Sequence, residues 1–536
     1  MADSASPEAS ESTPRQQMTR AAVFGWGLVA PGAENIDEFA RTLADPSSRL
    51  SPFNGFGRDT FLVGRPKFDF KAYEPWLAQR FPPARSKQLV EKMDPTSLFA
   101  VGSFIQALQQ NPALEGELVA LGSQAHVYVG NALGAYPTMY EASTKLYRAQ
   151  RRWNRFWANP ERNPALARHL QEGGEVPVAD PRRVEDPDER ELAEDAWFAY
   201  WAERSTSLVE YLAELSRIES PGVEADVARS KMKLIRDKRR ALAQLTEKWQ
   251  APETPWSEVS ANVLWNIPNT PASQISMIGR ITGLSLAPIA ACSTFGVALK
   301  LALDAIARQD AKLVVVGAAD PAPHPLTVGG FYSARVLAAD GNPSKPLTQM
   351  KGTHVAGGAC VWIVGDLEYG LSKGWKPLGI EPLAVGVSSD ADHIITPSEE
   401  GPRRAMHEAL ARAGVQGTDL VSWDMHATAT PGDFQELTNL QSVAPKHIAV
   451  TARKGTFGHG MGCGGGWELT AQYLGMVEGV LPPTAISEAE LHESLRELGQ
   501  HLVFDRGESV APGAVGKLSM GVGGINACVI SKPFAR

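Results

Sequence analysis

The residues of this chain whose types and spacing could do chemistry are one cysteine at the head of an apolar helix pattern, two histidines in Gly- or Thr-rich turns, and a lysine and a glutamate flanking the second histidine. Cys292 closes the apolar run LSLAPIAAC, and after it Phe295, Leu299, Leu303 and Ile306 recur at helical spacing. Ser293 or Thr294 is placed to cap that helix. A thiol at such a junction faces unpaired backbone N–H groups and the positive end of the helix dipole, and both favour thiolate, the nucleophilic form. A lone cysteine is more often a small buried hydrophobe, so Cys292 decides nothing by itself. The C-terminal third supplies the rest. His426 opens HATATPGDFQE after a strand pattern, and ARKGTFGHGMGCGGGWE holds Lys454, His459 and Glu468. The glycines of that loop let backbone approach backbone closely. Glu468 is expected on a helix starting after Gly466, where WELTAQYLGMVEGV takes up helical spacing. Two such histidines beside a helix-start cysteine are harder to read as satisfied core groups.

The surrounding elements have to bring these loops together. AVFGWGLVAPG (22–32) reads as a strand entering a turn, and Asp37–Leu43 as a helix. DPTSLFAVGSFIQALQQ (94–110) reads as a buried helix with an Asp cap and Pro at its first position. HVYVGNALGAY (126–136) is a strand running into a small-residue turn. Lys312–Gly317 and GACVWIVGD (358–366) are buried strands closing a first half. From Pro377 the order starts again: PLAVGVSSD as a strand, 401–415 as an amphipathic helix, 420–433 as a strand entering a polar loop. That recurrence predicts a duplicated α/β unit. GKLSMGVGGINACVISK (516–532) reads as a Gly-rich turn entering an apolar strand.

Between the first strands and Cys292 the composition changes. Residues 139–256 are charged, rich in Glu, Arg and Ala, and hold Trp153, Trp157, Trp197, Trp201 and Trp249. The i,i+4 tryptophan pairs predict shared helix faces, with breaks at 173–189 and 219–222. Arg229–Arg240 is strongly basic: a solvated face, or a docking patch for an acidic partner.

At 536 residues the chain exceeds one ordinary core. Residues 1–18 are polar and Ser/Pro-rich and are expected to form a disordered tail rather than a signal peptide. No apolar run is long enough to span a bilayer. Cys292, Cys360, Cys463 and Cys528 lie far apart without CxxC spacing, which predicts reduced thiols in a cytoplasmic protein. A net charge of −8 gives no reason to expect nucleic acid. No cofactor or metal is implied.

Taken together, ACST at 291–294, HATAT at 426–430, K-x4-H-x8-E at 454–468, the opening AVFGWGLVAPG, IPNTPASQISMIGRITGLSLAPIAAC and the closing GVGGIN resemble the elongating β-ketoacyl-acyl carrier protein synthases of the thiolase superfamily. The resemblance implies an α/β fold, a duplicated thiolase-like α/β/α/β/α sandwich, with halves at 19–366 and 367–536 and a helical insertion at 139–256. It implies a homodimer working with acyl carrier protein, acyl and malonyl thioesters, and no membrane. Cys292 would carry the acyl chain as a thioester. His426 and His459 would stabilise the enolate left by decarboxylation through Nε–H donors. Lys454 and Glu468 would form a buried ion pair. Thr428 and Thr430 would hold the pantetheine arm. Backbone N–H groups of Cys292 and Val522 would bind the oxyanion, with Met520 and Gly521 beside them.

Three departures bear on specificity. Ala427 stands where the family has glycine, GVGG replaces GFGG, and MKGTHVAGGAC replaces an acidic, Arg-containing pattern. A valine gate predicts a wider or reshaped acyl site. Competing readings are an initiating or non-elongating acyltransferase, a degradative thiolase with Cys528 as second cysteine, a chain-length partner subunit, and a scaffold built on the Trp-rich insertion. Cys528 sits in an alternating apolar pattern, which speaks against the thiolase. The presence of Cys292 speaks against the partner subunit.

Overall fold

The computed structural model describes residues 19–57, 60–222, 228–394 and 398–534, with backbone alone at 228–231. The tail expected over 1–18 lies outside the described residues. The chain forms two compact units, one made of the residues up to Pro137 and from Trp265 onward, the other of Thr138–Leu264.

The larger unit is built on two five-stranded sheets. The first uses β1 (Ala21–Val29), β2 (Ala125–Gly130), β3 (Ser285–Leu286), β4 (Leu313–Asp320) and β5 (Gly358–Asp366) in the order β1-β5-β4-β2-β3. The second uses β6 (Glu381–Ser389), β7 (Leu420–Asp424), β8 (Ala449–Thr451), β9 (Ala514–Gly521) and β10 (Ile525–Lys532) in the order β6-β10-β9-β7-β8. Strand for strand the two orders are the same. Their directions also agree: each first strand runs antiparallel to the last, the last antiparallel to the fourth, and the remaining pairs are parallel. The repeated topology is the duplicated unit that the recurring pattern predicted. LVVVGAAD and GACVWIVGD are buried at every position, as strands covered on both faces must be.

Helices α1 (Pro95–Gln110) and α2 (Thr270–Gly279) cover the outer face of the first sheet. Between the sheets run α3 (Thr294–Ala307) and, later in the chain, a helix over Met461–Glu478. The second sheet is covered by α4 (Glu400–Ala413), with α5 (Gly432–Gln441) packed beside it, which makes the Met461–Glu478 helix α6. The layering is α/β/α/β/α. Asp94 caps α1 through Oδ1, 2.9 Å from the Thr96 N–H, as its position predicted. Phe295, Leu299 and Ile306 of α3 are fully buried.

Three local readings need correction. The stretch before GVGG is itself a strand, β9, and not only a turn; Gly516 is needed there because a Cβ would lie 2.1 Å from the Trp423 ring. The glycines after His459 are helical, so α6 begins at Met461 and not after Gly466. A Cβ on Gly466 would come within 2.6 Å of Phe295, and one on Gly465 within 2.9 Å of Ser519 Oγ, so the glycines set how closely α6 approaches α3 and β9. Finally, neither Ser293 nor Thr294 caps α3 with its side chain. The Ser293 hydroxyl reaches the Ile525 and Ser519 carbonyls at 2.7 and 3.0 Å, which fastens the cysteine turn to the β9–β10 hairpin.

The smaller unit is helical, with helices at Pro164–Glu172, Pro187–Glu203, Thr206–Glu219 and Ala228–Trp249 following the one that ends at Trp157. The tryptophan pairs do share faces, with ring centroids 5.4 Å apart for Trp153/Trp157 and 5.7 Å for Trp197/Trp201. Trp249 packs on Trp157 at 6.0 Å.

Candidate active site

Cys292 sits in a single tight turn, Ala291–Ser293, immediately before α3. Its Sγ lies 3.0 Å from His459 Nε2. The His426 and His459 rings meet edge to face with centroids 5.2 Å apart. Segments 167 residues apart therefore converge on one sulfur atom. The three residues line a cavity of about 300 Å³ together with Thr428, Thr430, Met520, Gly521 and Val522. Phe331, Val336, Thr353, Pro431, Gly432 and Asp433 complete its lining. The Thr428 and Thr430 hydroxyls are 3.0 Å apart. Lys454 Nζ lies 2.7 Å from Glu468 Oε1 and also donates to the His426 carbonyl, so the ion pair links the two histidine loops. All ten residues expected to bind or react fall at or directly beneath this cavity, Lys454 and Glu468 being the two beneath it.

The expected thiolate is not what the structure favours. Burial pushes the Cys292 thiol up to about 11, against hydrogen bonds from the Val522 and Cys292 N–H groups and the field of Lys454. Desolvation outweighs the helix start because Cys292 is only 6% exposed, in a pocket of low polarity, so the resting group is the thiol. Burial and Lys454 also lower His459 to about 3, and burial depresses His426 strongly. Both imidazoles are therefore neutral near pH 7, and a neutral ring beside the sulfur can take or return its proton.

Several residues that hold the loops escaped the sequence reading. Glu436 accepts the His426 and Ala427 N–H groups at 2.6 and 2.7 Å. Asp433 accepts those of Thr428 and Ala429 at 2.8 and 3.1 Å. Asp320, at the end of β4, accepts from Ala132 and Leu133, both at 2.9 Å, and from Gly462 at 2.8 Å. His354 receives the His459 N–H on its carbonyl at 2.6 Å, so MKGTHVAGGAC carries a residue that seats the second histidine. Spacing within GDFQE offered the one available signal: Asp433 and Glu436 at i,i+3 face one side of a helix start. Ala427 is compatible with its place, because the left-handed residue of this loop is Ala429, φ 61°. Left-handed, non-glycine backbone also precedes Cys292, at Ala291 with φ 48°, and follows His459, at Met461 with φ 48°. Cys528 is fully buried in β10, a core position.

The geometry defines a thiol–imidazole site in a duplicated α/β sandwich. The sequence pattern of the beta-ketoacyl synthase N-terminal domain matches residues 18–167 and 234–368, and that of the C-terminal domain matches 381–488. The chain belongs to the beta-ketoacyl synthase family. It is 30% identical over 277 residues to 3-oxoacyl-(acyl-carrier-protein) synthase 2 of Rhizobium meliloti (strain 1021), an alignment covering 50% of this chain and 65% of that protein. It is 30% identical over 224 residues to nodulation protein E of Rhizobium meliloti, covering 41% and 55%. The matched region thus spans 55 to 65% of the length of these curated relatives. A beta-ketoacyl synthase from Burkholderia phymatum STM815 shares the fold with a TM-score of 0.67 at 17% identity, over 97% of this chain and 100% of that one. The ishigamide ketosynthase/chain length factor does so with 0.65 at 19%, over the same shares. A ketosynthase solved in complex with its type II PKS acyl-carrier protein superposes with 0.61 at 15%, again over 97% and 100%.

Proposed function

We propose that this chain is a β-ketoacyl-acyl carrier protein synthase, joining an acyl group on Cys292 to a malonyl thioester with loss of carbon dioxide. The observation that carries the reading is the 3.0 Å contact of Cys292 Sγ with His459 Nε2, with the His426 ring beside it on the same cavity. In the first half-reaction the sulfur attacks the acyl thioester carbon. The bond to the donor's sulfur breaks, and the cysteine proton leaves with the donor thiol through the neutral imidazole. Backbone N–H groups of Cys292 and Val522, both directed at the sulfur, hold the tetrahedral oxygen. In the second, the malonyl C–C bond to its carboxylate breaks and carbon dioxide departs. The electron pair forms an enolate whose oxygen faces His426 and His459. Its carbon bonds to the acyl carbonyl and the C–S bond to Cys292 breaks; the departing thiolate takes a proton from solvent through His459, regenerating the thiol. Each preorganised donor is worth ~3 to 4 kcal/mol in such steps.

The acyl donor and malonyl carrier are read as acyl carrier protein, and the product as a fatty-acid or polyketide-type intermediate. Thr428 and Thr430 offer hydroxyls for a pantetheine arm. Val522, 45% exposed at the cavity mouth, is a smaller gate than an aromatic ring. The halves are read as 19–366 and 367–536, the working unit as a homodimer, and the compartment as cytoplasm. Four unpaired, buried cysteines support that compartment. Among the described residues no helix is long and apolar enough to cross a membrane. Intact-mass spectrometry with acyl thioesters tests the reading. The wild type should gain one acyl group and release carbon dioxide from malonyl thioester, and Cys292→Ala should do neither the loading nor the condensation. Unchanged acylation of the variant would overturn it.

A further inference from the structure

We propose that Lys517 is a positioning residue for the two histidines, a second buried ammonium on Glu468 that ties β9 to both histidine loops. The proposal rests on the functional reading above. Lys517 is 1% exposed in the middle of β9. Its Nζ lies 2.8 Å from Glu468 Oε2, while Lys454 holds Oε1 at 2.7 Å. It is also 3.4 Å from Asp424 Oδ1 and 3.5 Å from the carbonyl of Met425, the residue before His426. Asp424 ends β7, accepts from Thr451 Oγ1 at 2.6 Å and lies 3.5 Å from Arg453 Nε.

An ammonium is costly to bury and is kept only where carboxylates reach it. Packing gives no reason for one here, since the neighbouring inward positions of β9 are Val515 and Ser519 and the residue opposite Lys517 on β10 is Val529. Charge balance on Glu468 gives none either, because Lys454 already supplies it. What Lys517 adds is connection. It joins the strand bearing Met520 and Gly521 to α6, which follows His459, and to β7, which precedes His426. The charged groups facing it are Asp424 on β7, Glu436 on α5 and Glu468 on α6, with Arg453 and Lys454 after β8; the His426 and His459 rings and the Cys528 thiol complete its titratable surroundings. Arg453, Lys454 and Lys517 thus stand against three carboxylates out of reach of water. Glu436 titrates near neutrality: burial raises it to about 7 against the pull of Lys517 and two backbone N–H groups, and Asp433, itself raised to about 6 by burial, pushes it the same way. Once neutral, Glu436 carries an O–H on one of the two oxygens that accept the His426 and Ala427 N–H groups, which weakens its hold and partly releases the histidine loop. Removing Lys517 moves that release to higher pH.

The test uses K517M, K517R and the charge-balanced pair K517M/D424N. Acyl loading is followed by intact mass with an acyl-coenzyme A probe, and carbon dioxide release with a malonyl thioester between pH 5.5 and 8.5. K517M should load within about threefold of wild type. Its carbon dioxide release should fall about tenfold at pH 6 and much less at pH 8, the acid limb having moved up by about one unit, and K517R should restore the limb. A K517M profile that overlays wild type overturns the proposal. So does a loss that is equal at every pH and in both assays with no rescue by K517R. Should K517M fail to fold, K517M/D424N carries the same prediction, and a wild-type limb in that protein overturns it. A wild-type chain that releases no carbon dioxide overturns the functional reading itself, an outcome separate from the failure of Lys517 alone.

Discussion

At Cys292 two effects oppose each other, and their sizes decide the resting state. A helix start and two N–H groups pull the thiol pKa down, while removal from water pushes it up to about 11. Burial wins, so deprotonation has to be coupled to attack, and the neutral ring of His459 at 3.0 Å is the group placed to do it. The same burial has a stability consequence. His459 is lowered in the folded chain to about 3 from an ordinary 6.5, so the unfolded chain binds more protons below pH 6.5. Its contribution is present above pH 6.5 and is lost as pH falls toward the folded value. By pH 5.5 the loss from this one group is about 1.4 kcal/mol. Urea denaturation at pH 7.5 and 5.5 should show His459→Asn losing about that much less than wild type on acidification; equal slopes would contradict the assignment. Cys292, His426 and His459 were legible as residues because their types are rare and their turns distinctive. Glu436, Asp433 and Asp320 were not, since their partners are backbone N–H groups, which every residue but proline carries.

At the scale of elements, α6 shows how composition can mislead. Gly462, Gly464, Gly465 and Gly466 look like a flexible loop, and each weakens a helix by ~1 kcal/mol relative to alanine. They form a helix because α6 must pass within backbone contact of α3, β9 and the Asp320 carboxylate. Gly466→Ala would gain helix propensity yet press its Cβ to 2.6 Å from Phe295 and 2.7 Å from Cys360. Overpacking prevails, and the variant should be ~1 to 3 kcal/mol less stable by chemical denaturation. Strands β7 and β10 were readable from alternation and apolar runs. β8 was not: it has three residues, Ala449–Thr451, and no period can show in so short a run.

At the scale of the molecule, each unit has its own buried core, and the smaller one presents an unusual surface. In the helix Ala228–Trp249, Arg236, Arg239 and Arg240 are exposed and have no carboxylate partner among the described residues, and Met232 and Ile235 are 63% and 38% exposed beside them. Lys238 differs, being paired with Glu219 at 3.1 Å. Under the proposed function these arginines are read as a docking face for an acidic carrier protein, and two apolar side chains are too few for a membrane-inserting face. Reversing Arg236, Arg239 and Arg240 to Glu should weaken carrier-protein binding about tenfold or more at low salt, with the difference shrinking in 0.5 M salt. Reversing Lys238 as well would disturb the ion pair with Glu219 and blur the result. An affinity indifferent to all three reversals, measured by calorimetry, would remove this helix from the docking surface.

The sequence by itself determined which side chains could react, because a cysteine at a helix start, two turn histidines and a Lys–Glu pair are local chemistry. It also determined the duplicated α/β order, because hydrophobic period is local too. Only the tertiary structure decided the protonation of Cys292, the double hold of Lys454 and Lys517 on Glu468, and the carboxylates that seat the histidine loops. Those depend on distance from water and from residues up to 230 positions away along the chain, as Val522 is from Cys292, quantities that exist only after the sheets have packed.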